Sequence, residues 1–147
     1  MTLESLQQAV CDALTAHEAK CGNAVRVIAE DAGNVIFERD SAIAQKHMVV
    51  IVGSPRFTPT SRDSARIVGN AALDVIVYEQ PTRNRVGQRV DGPSALAEAE
   101  SIALRLHLLP FDGGVIVFTR IGGVERVDEK TIARTISFET ITTLTGE

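Results

Sequence analysis

Apolar residues recur at helical spacing between Pro93 and Leu109. Ala95, Ala99, Ile102, Leu106 and Leu109 fall on one stripe, with Leu96 and Ala103 on its shoulder. Pro93 suits a first helical turn, where its missing N–H would have no partner. Asp91 or Ser94 can cap, Pro110 stops the helix, and Asp112-Gly113-Gly114 makes the turn out. The opposite side of the same helix is also partly apolar: Ala97, Leu104 and Leu108 stand among Glu100, Ser101, Arg105 and His107. A helix apolar on two sides packs against two things. One is its own sheet; Leu104 and Leu108 cover either the first helix or a neighbouring subunit.

The rest of the chain divides by the same patterns. Leu3, Leu6, Val10, Leu14 and His17 keep helical spacing behind a Thr2 cap, and Gly22 is a natural stop. Residues 24–29 read as a strand. Asn34 can cap a helix over Val35–Lys46, with Ile36, Phe37, Ile43 and Ala44 as its apolar contacts. Val35-Ile36-Phe37 alone fits a strand as well, but Ser41–Lys46 holds helix formers without strand alternation. His47–Val52 is continuously apolar and so reads as a strand covered on both faces. Gly53–Ser64 carries Pro55, Phe57 and Pro59 and reads as a loop, in which Phe57 either tucks under or touches a partner. Ala65–Glu79 alternates as a long strand, with Gly69 weakening or bulging its middle.

Residues 80–92 read as a polar loop bearing Arg83, Arg85 and Arg89. Val115–Arg120 reads as a strand, Gly122-Gly123 as a hairpin turn, and Thr131–Thr143 as a closing strand. Ile141 falls on the parity opposite to Ile136 and Phe138, which suggests a bulge. Sequential strands joined by short turns favour one α+β domain over residues 1–147. The expected fold is a mixed, mostly antiparallel sheet of about five strands with about three helices, in two or partly three layers.

Composition narrows the chemistry. With five Phe, one Tyr and no Trp, aliphatic residues must fill the core. A net charge of −4 argues against a dedicated nucleic-acid binder. Cys11 and Cys21 provide neither a CxxC nor a Cys/His cluster, and buried free thiols in a reducing compartment are the expected reading. The start MTLESLQQ has no basic segment followed by an apolar run, and no run reaches the ~20 apolar residues that span a bilayer. No GxSxG, HExxH or GxxxxGK[ST] occurs, and the three histidines are scattered. No catalytic, metal or cofactor residue is therefore expected. Arg83, Arg85 and Arg89 can contact phosphate or an acidic protein surface, or remain solvated loop charges.

Several stretches together resemble the tail terminator and tail-completion proteins of long-tailed bacteriophages. They are Gly33-Asn34-Val35-Ile36 leading into a helix, Met48–Val52 before the Pro/Phe loop, and Leu73–Glu79 before Pro81 and Arg83-Asn84-Arg85. The helix from Ser94 and the closing Arg134–Glu139 strand complete the likeness. The resemblance implies an α+β subunit, without catalytic residues, that closes into a ring of about six copies on the tail tube. Such a ring stops tube polymerisation and joins the tail to the filled head. Its partners would be further copies of itself, the tube protein and head–tail connector proteins. It would assemble in the bacterial host cytoplasm and remain in the tail or neck of the virion. Phe57, Arg83, Arg85, Arg89, Leu104 and Leu108 are the candidate interface residues. The alternative is a small cytosolic ligand-binding or enzymatic α+β domain with its site near the Arg83–Arg89 loop.

Overall fold

A computed structural model of the chain describes residues 2–21, 25–46, 48–63, 66–80 and 94–145. Helix α1 (Leu3–Cys21) opens where the Thr2 hydroxyl accepts the Ser5 N–H and the Ser5 hydroxyl accepts the Thr2 N–H. This is a reciprocal cap, with Ser in the place usually held by Glu. Strand β1 (Arg26–Ala29), helix α2 (Val35–Lys46) and strand β2 (Met48–Val52) form a crossover unit, and β1 pairs with β2 in parallel. Strands β3 (Arg56–Asp63) and β4 (Arg66–Glu79) follow, then helix α3 (Ala95–Leu106). The chain ends in β5 (Pro110–Phe111), β6 (Gly114–Val115), β7 (Val117–Ile121), β8 (Glu125–Arg126) and β9 (Ile132–Thr145).

The expected α+β architecture holds, with more strands than pattern alone gave. Among the described residues seven strands form one mixed sheet along β1-β2-β4-β9-β7, with β3 beside β4 and β8 beside β9, while β5 and β6 make a separate small hairpin. β4 is the spine. β9 runs antiparallel along one whole edge, from Arg66 opposite Thr145 to Glu79 opposite Ile132. The other edge is shared: β2 pairs with Val75–Glu79, and β3 with Arg66–Ala72.

The two faces of the sheet have different neighbours. Val75 opposite Ile136 and Leu73 opposite Phe138 point into the main core, where Leu6, Val10 and Leu14 of α1 meet Ile102 and Leu106 of α3. Each fully buried side chain of this size contributes about 1.5–3 kcal/mol. On the other face α2 covers only the β1–β2 end, through Ala42, Ile43 and Val35 against Ile28, Val49 and Tyr78. The layering is therefore three deep at one end and two deep at the other. All five residues of β2 are buried, as its unbroken apolar run required.

Several local expectations are corrected. Gly53–Ser64 is not a loop throughout, because Arg56–Asp63 pairs with β4. Pro59 is tolerated because β3 lies at the edge of the sheet and its pairing shifts between Pro59 and Ser61. Gly69 is opposite Pro59, so the irregularity lies on the partner strand. The register of β4 with β9 continues unbroken through Ile141, whose parity places it on the opposite face rather than at a bulge. Gly122-Gly123 is not the hairpin turn either: β7 and β8 both pair with β9, and the chain reverses at Asp128–Lys130. Asp128 Oδ1 accepts both the Lys130 and Thr131 N–H groups at 2.8 Å. Those bonds, the one from Lys130 foremost, hold its carboxyl below the usual range. In α2, Ile36 and Phe37 are 65% and 71% exposed, and Ala44 is also exposed. Val35 and Ala42 carry the packing beside Ile43, because Ile36 and Phe37 lie on the outer side of the wheel.

Helix α3 starts at Ser94, whose hydroxyl accepts the Ala97 N–H, and stops at Leu106 rather than Leu109. His107 is extended and Leu108 has φ 65°, a left-handed turn. The chain then pairs locally: Leu108 N–H donates to the Ile116 carbonyl, and Ile116 N–H to that of Leu109. Ile116 thereby divides the expected Val115–Arg120 strand into β6 and β7. Asp112 and Gly113 between β5 and β6 both have positive φ, as a two-residue type I′ turn requires.

Candidate interaction surface

The inner side of α3 is sealed: Ala95, Ala99, Ile102 and Leu106 are at most 1% exposed. Its outer side is bare. Leu104 is 82% exposed and Leu96 42%, and Leu108, in the turn just past the helix, is 56% exposed. Helix α1 does not cover this side; where it reaches α3, His17 Nε2 meets the Ser101 hydroxyl at 2.7 Å. Of the two fates open to Leu104 and Leu108, burial under the first helix is excluded. Leu108 is also held in place, since its own N–H is bonded to Ile116 and the neighbouring His107 Nδ1 accepts the Phe118 N–H. A left-handed backbone favours glycine over leucine by roughly 1 kcal/mol or more.

A second apolar surface lies on the other face of the sheet, beyond the reach of α2. Val115, Val117 and Ile141, 40%, 41% and 68% exposed, line a groove of about 350 Å³ together with Asn70 and Glu139. The β6 side of this groove is fixed by the Thr140 hydroxyl, which donates to the Val115 carbonyl at 3.0 Å. The β5–β6 turn is tied down by the Thr142 hydroxyl donating to Asp112 Oδ2. Sequence reasoning missed the groove because its residues come from β4, β6, β7 and β9. The only local signal was the odd parity of Ile141.

Phe57 is half-buried and packs against the main core at the edge of the sheet, its ring lying over Gly69. It tucks in, as one of its two readings held. Arg83, Arg85 and Arg89 lie outside the described residues. Gln80, which leads toward them, borders a polar cleft of about 190 Å³ with Arg39, Tyr78, Asp128 and Thr131. There the Arg39 guanidinium stacks 5.5 Å from the centre of the Tyr78 ring.

Among the described residues the carboxylates of Glu18, Glu79 and Glu98 are buried. Among the described residues no group of three or more His, Cys, Asp or Glu is placed to hold a metal ion. Cys11 is half-buried, and burial, with Asp12 adding to it, raises its thiol to about 11. No helix among the described residues is long and apolar enough to cross a membrane.

Against known proteins the chain gives no match, either to a family model or to a curated sequence.

Proposed function

We propose that the chain is a structural subunit that closes with copies of itself into a ring on the end of a phage tail tube. There it stops tube growth and presents the surface that receives the head. The observation that carries this reading is the bare outer side of α3. Leu104 projects from a helix whose inner side is already fully packed, Leu108 stands exposed just past that helix's C-terminus, and nothing among the described residues covers either. The sequence resemblance to tail terminators supplies the setting, and the mixed α+β sheet fits the subunit that resemblance implies.

The test is light scattering over a concentration series, with and without tail tubes, and tube length measured by negative-stain imaging. Rings of about six copies, and tubes that stop growing when the protein is added, are expected. Protein that stays monomeric beside tubes of unchanged length overturns the reading.

A small-molecule binding domain is the second reading, favoured by the polar cleft between Arg39, Tyr78 and Gln80. It predicts a melting temperature that rises with a ligand by the usual mass-action relation, without any change in mass.

A further inference from the structure

We infer that the outer side of α3 at Leu104, together with Leu108 just past its C-terminus, in one copy seats in the Val115–Val117–Ile141 groove of the next. This deepens the assembly reading above and rests on it. The two surfaces lie on opposite faces of the same sheet. α3 packs on the face carrying Leu73, Val75 and Phe138, with Leu104 pointing away from it. The groove is built on the opposite face, where Glu139 is paired with Ala72 and Val117, and Ile141 with Asn70. One chain cannot bring the two together, but two chains can. Joining unlike patches leaves one of each kind free on every pair, so the contact repeats and closes into a ring when the rotation permits.

Charge selects the same pairing. Arg105 follows Leu104 in the last turn of the helix, and Glu139 lines the groove. Glu100 precedes Leu104 by one helical turn, and Arg120 is opposite Ser137 on the groove's face. All four are exposed, and none has an ion-pair partner among the described residues. Basic beside acidic on each side sets the register as well as the choice of partner. Size agrees too: about 350 Å³ is at the low end of cavities that take whole small molecules, so it suits a few aliphatic side chains. Leu108 adds a third argument. An exposed leucine in a backbone conformation that suits glycine is a cost without return in the single chain, and such outliers concentrate where a partner uses them.

The test uses two single variants of the full chain, Leu104→Asp and Ile141→Asp. Both positions are more than two thirds exposed, so neither change empties the core. Circular dichroism and urea melts matching the parent confirm that each is folded. Sedimentation should give concentration-dependent association for the parent and an at least tenfold weaker association for each variant alone. An equimolar mixture should then form a species of twice the chain mass and nothing larger. It pairs the intact groove of one variant with the intact leucines of the other, and the remaining pair of surfaces is doubly broken. A mixture that stays monomeric overturns the inference, as does a parent that never associates. Tube length, scored on the same samples, separates this contact from the wider reading. A mixed dimer from a parent that does not cap tubes sinks the tail reading and keeps the contact. Capping by a chain carrying both substitutions sinks the contact and keeps the tail reading.

Discussion

The carboxylate of Glu79, the last residue of β4, accepts the backbone N–H of Ala95, the first residue of α3, at 3.1 Å. Both residues are at most 1% exposed. The bond ties the end of the central strand to the start of the helix that presents Leu104 and Leu108. It also satisfies one of the backbone N–H groups that a helix N-terminus leaves without an intrahelical partner.

Glu79→Gln keeps an oxygen acceptor for the Ala95 N–H, so a destabilisation of no more than about 1 kcal/mol is expected. Glu79→Ala leaves a buried N–H unpaired and opens a cavity, and should cost about 3 kcal/mol. Urea unfolding measures both. Equal losses for the two substitutions would show that the hydrogen bond contributes nothing of its own.

Gly69 is required by the close approach of β3. A Cβ there would lie 2.3 Å from the Thr58 carbonyl oxygen and 2.7 Å from the Pro59 Cα, both backbone atoms that cannot swing aside. Gly69→Ala should cost about 2 kcal/mol and speed hydrogen exchange along β3 before the rest of the sheet. Gly33→Ala, where a Cβ meets nothing within 4 Å, is the matched control and should be neutral or slightly stabilising. If the two variants melt alike, the steric account of Gly69 is wrong.

Leu108→Gly separates folding from assembly. Removing the left-handed leucine should raise the stability of the single chain by about 1 kcal/mol. Because the same exposed side chain stands at the C-terminal end of α3 in the proposed contact, self-association should weaken. Thermal melts at low concentration and light scattering at high concentration read the two effects. A variant that associates as well as the parent would remove Leu108 from the interface.

Cys11 sets a pH dependence. With its thiol raised to about 11, it should react slowly with iodoacetamide at pH 7–8, and the rate should climb until the pH passes about 11. The folded chain holds the protonated form more tightly than the unfolded chain does. That contribution to stability is full below the ordinary thiol value and is lost as the pH rises through about 11. Cys11→Ala should flatten this alkaline part of the stability profile. Rapid alkylation at neutral pH would contradict the buried setting.

The pattern of side chains along the chain determined the elements whose signals are local. The 3.6-residue spacing of Ala99, Ile102 and Leu106 located α3 and left Leu104 exposed on its far side, whereas Leu108, expected on the same helix, is exposed in the turn after it. The unbroken Met48–Val52 run announced a strand covered on both faces, because alternation disappears when both faces are dry. The Ser94 cap and the Asp112-Gly113 turn were legible because hydrogen bonding and backbone sterics there depend on residues within a few positions. Only the tertiary structure decided what depends on distant partners. Arg56–Asp63 is a strand because β4 offers it a free edge, and Gly122-Gly123 is not a hairpin turn because β9 continues to pair past it. The Val115–Val117–Ile141 groove exists only because β4, β9 and β7 pair side by side and the separate β5–β6 hairpin is held against them by the Thr140 hydroxyl. Side-chain period sets which face a residue takes within its own element, whereas what lies across from that face is set by packing between elements.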